Sequence, residues 1–123
     1  MNNEKLSNKY DLEERTARFG ENVIALCRLV KNDKLAEPIL HQLVRSATSI
    51  GANYMEANGA SSKRDFTNKI FICKKEIQET KHWLRMIKSF MTSESDMLSS
   101  LAKEAQELTL IFHKIASSLK IKT

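Results

Sequence analysis

Glu79 and His82 have the spacing of a metal-binding pair. Together they form a Glu-x-x-His unit, the inner half of the motif by which di-iron carboxylate bundles hold their metals. Such a site needs a second copy of the motif and two further inward glutamates. The sequence has no second copy. At about 100° per residue, His82 falls beside a row of basic residues, not in the apolar sector that holds Glu79. His41 and His113 have no partners at ligand spacing. No Gly-rich phosphate loop and no Ser/His/Asp set can be placed. The sequence therefore leads us to expect no metal, no cofactor and no enzymatic activity.

The charged residues carry more information. Between Pro38 and Ser62 the only formal charges are Arg45 and Glu56. Further on, Glu76 and Glu79 fall inside an apolar sector of the following helical pattern. A charge on a buried face must be paired or lose its ionisation, and the planar fork of Arg can hold two carboxylates. Arg45, Glu56, Glu76 and Glu79 are accordingly expected to form a structural ion-pair network, with Glu79 or Glu56 as the main partner of Arg45.

The segment from Lys63 to Lys88 carries eight basic residues and three acidic ones, a difference of +5 that equals the formal net charge of the whole chain. Lys63, Lys74, Lys81, Arg85 and Lys88 wind into one row that contains no acid, and the row is expected to lie opposite the apolar sector. Solvated helix faces usually mix signs, so an unmixed basic row suits a polyanion, RNA or DNA. No aromatic interleaves with the row, which predicts phosphate contacts without base stacking or sequence readout. In the competing reading the lysines serve solubility, and the protein is a structural or assembly module that docks a protein partner without binding nucleic acid.

The elements that must position these residues are helices. The chain has 123 residues with one Pro and three Gly, too few turn residues for a sheet protein. Apolar residues recur at helical spacing in four stretches, near 11–31, 36–57, 63–91 and 97–119. Asp11, Ser62 and Asp96 sit where N-caps belong, Pro38 suits a first helical turn, and Asn58-Gly59 suits a stop with left-handed geometry. Four helices with short connections predict an all-α fold, an up-down-up-down four-helix bundle. A single domain should span residues 1–123, with 1–9 and 120–123 loose. Cys27 and Cys73 lie on apolar stripes outside any CxxC pair, as free thiols in a reducing compartment do. No apolar run approaches the length of a membrane span, and the N-terminus lacks the apolar core of a signal peptide. A cytoplasmic protein with no membrane partner is expected.

The second helix is poor in charge for an exposed element. Its non-core side offers Ser46, Ser49, Ala52 and Asn53, small groups against which another helix could pack. The third helix has a second apolar stripe of Ile72, Trp83, Met86 and Phe90, and Trp is enriched at interface hot spots. Ser46, Ser49, Ala52, Asn53 and Trp83 are thus candidates for a homo-oligomer interface.

These residues also support a resemblance. Gln42-Leu43-x-Arg45-Ser46-Ala47-x-Ser49-Ile50-x-x-Asn53 with Glu56 resembles the second-helix signature of the four-helix-bundle proteins related to the 23S rRNA intervening-sequence protein. Asp65-Phe66 and Lys75-Glu76-x-x-Glu79-Thr80 with Trp83-Leu84 resemble the third helix of that family. The similarity covers about half the chain, and the flanking helices match by pattern alone. The family's usual Glu-Gly pair reads Glu56-Ala57 here, as in a divergent subgroup. The family includes accessory proteins of diversity-generating retroelements. For this chain the resemblance implies the bundle, no catalysis, a pentamer, and RNA, DNA, a reverse transcriptase or another protein as partner. The number five comes from the resemblance; the physics of the sequence does not select it.

Overall fold

A computed structural model describes residues 11–30, 33–91 and 95–119. Four helices fill these ranges: α1 Leu12–Leu29, α2 Glu37–Asn58, α3 Lys63–Lys88 and α4 Asp96–Leu119. There is no strand among the described residues, and the fold is all-α. The expected loose ends, 1–9 and 120–123, lie outside the described residues.

The start signals act much as their chemistry dictates. The Asp11 carboxylate accepts a hydrogen bond from the Glu14 amide at 3.2 Å, and the Ser62 hydroxyl accepts one from the Asp65 amide at 3.0 Å. Each satisfies an amide that the first helical turn leaves open. Pro38 occupies the first turn of α2. At α4 the cap is Ser95, not Asp96: the Ser95 hydroxyl accepts from the Leu98 amide at 3.1 Å, and Asp96 is the first helical residue. The stop at Asn58-Gly59 also differs from expectation. Gly59 has φ −98° and ψ 9°, outside the left-handed region. Its amide closes a tighter turn onto the Glu56 carbonyl at 3.1 Å, a common way for a helix to finish.

α1 packs on α2, α2 on α3, α3 on α4, and α4 returns more sparsely to α1. Neighbours in sequence are neighbours in space, and the diagonal pairs do not touch through their backbones. This is the up-down-up-down arrangement that short connections favour. The core holds Phe19, Val23 and Leu26 of α1, Leu43, Ala47 and Ile50 of α2, Ile70, Cys73, Ile77, Leu84 and Ile87 of α3, and Leu101, Leu108 and Phe112 of α4. Arg15 straps the sparse α4–α1 seam, with Nε 2.6 Å from Glu104 and Nη2 2.8 Å from Glu107. Its pKa is raised, first by the hydrogen bond to Glu104.

Two small residues of α2, Gly51 and Ser46, are used within the subunit. A Cβ on Gly51 would lie 3.2 Å from Thr16 Oγ1 and 3.4 Å from the Thr16 backbone carbon, so the backbone of α1 approaches α2 closely at Gly51. Ser46 is fully buried and its hydroxyl bonds Thr80 of α3 at 2.9 Å. The charge-poor character of α2 is thus explained largely by two neighbours in its own bundle.

Candidate nucleic-acid interface and ion-pair seam

α3 is flanked on both sides, and its two edges have opposite chemistry. The edge toward α2 carries the ion pairs. Arg45 donates through Nη2 to Glu79 in a close contact, while its Nη1 is 3.5 Å from Glu76 Oε2 and its Nε 3.3 Å from Gln42 Oε1. Glu76 Oε1 lies 3.4 Å from Nη2, within ion-pair range but outside hydrogen-bonding geometry, and it has no hydrogen-bond partner. The Glu76 side chain is 9% exposed and the Arg45 side chain 47%. A nearly buried carboxylate is therefore capped from the outside by a half-exposed guanidinium that also reaches Glu79.

Glu56 does not join this network. It pairs with Lys69 at 2.7 Å, and this contact is the main reason that the Lys69 pKa is raised. Glu56 lies about three helical turns beyond Arg45, and the α2–α3 crossing puts Lys69, not Arg45, opposite it. The buried polar seam continues inward from Glu76 to Thr80 and Ser46. The Thr80 hydroxyl donates to the Glu76 carbonyl at 2.8 Å as well as meeting Ser46.

Removing the cation should be felt through Glu76. We expect Arg45→Ala to destabilise by about 1–3 kcal/mol in urea unfolding, because it strands a buried carboxylate. Glu79→Ala should cost only about 0.2–1 kcal/mol, as for an exposed partner. Adding Glu76→Gln to the Arg45→Ala chain should recover part of the loss. Equal losses for Arg45→Ala and Glu79→Ala would show that Glu76 is not the group being neutralised.

The edge toward α4 carries the basic row. Lys63 is exposed at the start of α3, and Arg85 and Lys88 are exposed near its end. Lys74 and Lys81 are half-buried. Lys81 Nζ donates to Gln106 of α4 at 2.8 Å. The row does not stand opposite the core, as the sequence led us to expect. Lys81 follows Ile77 by four residues, about 40° around the helix, so the row borders the core along the α3–α4 seam. There Lys81, Arg85 and Lys88 line a cleft of about 330 Å³ with Leu84, Ser95, Leu98, Ser99 and Ala102.

Phe71 is absent from the sequence reading and belongs here. It is 45% exposed, and Lys74 Nζ lies 5.5 Å from its ring centroid. The expectation that no aromatic accompanies the row is corrected by this pair. The signal was available: Phe71 precedes Lys74 by three residues, the spacing of side-chain neighbours on a helix.

The expected interface residues separate by position. Ser46 is internal and cannot face another subunit. Ser49 and Asn53 are half-buried; the Ser49 hydroxyl bonds the Arg45 carbonyl at 2.7 Å, and the Asn53 amide bonds the Ser49 carbonyl at 2.8 Å. Trp83 is half-buried against the core, with its ring 4.8 Å from that of His82 and its buried Nε1 without an acceptor. Ala52 is exposed. It belongs to a second cleft, about 430 Å³, between α1 and α2, whose lining includes Ala17, Gly20, Gly51, Ile24 and Met55, with Glu13, Glu14 and Glu21.

Neither cysteine is a nucleophile at neutral pH. Burial pushes the Cys27 thiol up to about 11 and the Cys73 thiol up to about 12, from an ordinary 9.0. Burial also raises the Tyr54 hydroxyl above its ordinary 10.0. The folded chain then keeps protons that the unfolded chain has lost once pH exceeds about 9. Stability should be indifferent to these groups below that pH and fall as pH rises toward 12. Thermal melts across this range check it. A Cys73→Ala chain should show a shallower alkaline decline than wild type, and equal slopes would remove Cys73 as a cause.

Among the described residues no group of three His, Cys, Asp or Glu side chains is placed to hold a metal ion, and Glu79 is engaged by Arg45. No described helix is long and apolar enough to cross a membrane.

The model of the 23S rRNA-intervening sequence protein family matches residues 8–114. A solved structure of a protein of unknown function from Bacteroides thetaiotaomicron, assigned to the S23 ribosomal protein family, is similar in fold and sequence. Its TM-score is 0.76 at 29% identity, covering 85% of this chain and 96% of that one. No curated protein matches the chain.

Proposed function

Because the chain belongs to the 23S rRNA-intervening sequence protein family, we propose that it is a non-catalytic accessory protein that binds nucleic acid, RNA foremost, through the basic edge of α3. The observation that carries this reading is the α3–α4 edge itself. Lys81, Arg85 and Lys88 converge on one cleft, and no carboxylate is among the described residues that line it. Counterions released from the phosphates when such a row binds give affinity without sequence choice. The test is anisotropy of a labelled RNA across a salt series. Affinity should fall steeply as salt rises, and affinity independent of salt would overturn the proposal.

A second reading, a module that docks a protein partner, is favoured by the α1–α2 cleft. There small residues open a groove bordered by the exposed Ile24 and Met55. Absence of any RNA binding at low salt would leave this reading in place.

The same cleft supports assembly of identical subunits, with a pentamer as the form that the resemblance implies. Ala52, Met55 and Ile24 are the exposed groups that such contact would cover. Light scattering at micromolar concentration should give a mass of several subunits, and Ala52→Glu should reduce it by placing a charge in the interface. A wild-type mass of one subunit would overturn assembly. An unchanged Ala52→Glu oligomer would move the interface away from α2.

A further inference from the structure

The cleft between α3 and α4 is more than a patch of charge. Its floor is apolar, made by Leu84 and Leu98, and Ala102 stands at its α4 side. Its rim is cationic on one side, where Lys81, Arg85 and Lys88 project from α3, and hydroxylic on the other, where Ser95 and Ser99 begin α4. Lysine and arginine lay their methylene stems on apolar surface while the charged heads stay in water, which extends the floor upward to the rim. A duplex offers this edge phosphates, sugars and groove edges but no base face, because its bases are stacked inside. An unpaired strand offers both a phosphate and a flat, largely apolar base with hydrogen-bonding edges.

We propose that this cleft seats one unpaired nucleobase, with the adjoining phosphates on Lys81, Arg85 and Lys88, so that the protein prefers single-stranded nucleic acid. The proposal rests on the nucleic-acid reading above and names the form of nucleic acid that it takes. Three features point the same way. The charge complements a phosphate backbone, since every charged side chain among the described lining residues is a cation. Its volume of about 330 Å³ falls at the small end of ligand pockets, which run from about 300 Å³ upward. The guanidinium of Arg85 is a plane on which a base can stack. Further along the same helix, Phe71 is a second exposed flat surface with a lysine beside it. Base stacking on flat side chains is sequence-tolerant because every base has a π-face.

The test compares three labelled oligonucleotides of equal length: a single strand, its duplex, and a single strand of abasic sites with the same phosphate count. The base-bearing strand should bind more tightly than the abasic strand by about 5- to 100-fold, the range of one stacked base. Ala102→Leu fills the cleft without changing charge and without adding a flat surface for stacking. It should bring the base-bearing strand down to the affinity of the abasic strand and leave the abasic affinity unaltered. Ser99→Met fills the same space from the neighbouring turn and serves if Ala102→Leu fails to fold by circular dichroism. Equal affinity of base-bearing and abasic strands, both lost in high salt, would overturn the base seat and leave the electrostatic reading standing. Binding of neither strand at low salt would overturn both.

Discussion

Reversing the three cations of the α3–α4 cleft, Lys81→Glu, Arg85→Glu and Lys88→Glu together, should lower affinity for single-stranded RNA by about 10²–10³-fold near 0.1 M salt. The estimate follows from counterion release. Each phosphate contact contributes roughly 0.7–0.9 to the slope of log affinity against log salt, so three lost contacts remove about 2–3 from the slope. The two readouts must move together, because both count the same phosphates. Arg85 and Lys88 are exposed near the end of α3, so their reversal leaves the core intact. Lys81 loses its hydrogen bond to Gln106, a modest structural effect that unfolding of the triple variant would register separately. Anisotropy with wild-type and variant chains at four or five salt concentrations is sufficient. An unchanged slope with unchanged affinity would place any nucleic-acid site elsewhere on the molecule.

Phe112→Ala should be the most damaging of the single core truncations, at about 3–5 kcal/mol. This is a large part of the 5–15 kcal/mol that typically holds a domain folded. Phe112 is fully buried on α4, and its ring meets Tyr54 of α2 edge-on, with centroids 5.5 Å apart and planes at 87°. α2 and α4 are diagonal in the bundle and share no backbone contact. The Phe112–Tyr54 pair therefore joins two helices that meet only through side chains, and truncating Phe112 opens a cavity between them. An unfilled cavity adds its own cost to the lost transfer free energy. Leu43→Ala, in a site lined by adjacent helices, should cost about 2–5 kcal/mol. Leu110→Ala, on the same helix as Phe112 but 60% exposed, should stay within about 0.5 kcal/mol. Urea unfolding of these chains measures the order. A Phe112→Ala loss no larger than that of Leu110→Ala would mean that the bundle centre is not packed by this ring.

The sequence by itself determined the four helices, the all-α fold and the chemistry available to each face. Periodicity is a property of one chain segment, and a repeat near 3.6 residues fixes which side chains share a side whatever lies next to them. Local capping chemistry is equally legible, as Asp11 and Ser62 show. Arg45 with Glu79 was likewise within reach, because a charge amid apolar residues must find an opposite charge.

Only the tertiary structure decided which neighbour stands at each angle. It set Lys69 against Glu56 and left Arg45 to Glu76 and Glu79, since the crossing of α2 and α3 sets which turns meet. It spent Ser46 inside the subunit, although its small size alone suggested a surface for another copy, and it set Gly51 against α1. It also moved the basic row from an open face to the rim of a cleft. A helix repeat gives the angle of Lys81, but only the position of α4 sets Leu98, Ser99 and Ala102 beside that row. Those residues lie in another helix, beyond the reach of any pattern that repeats within a single element.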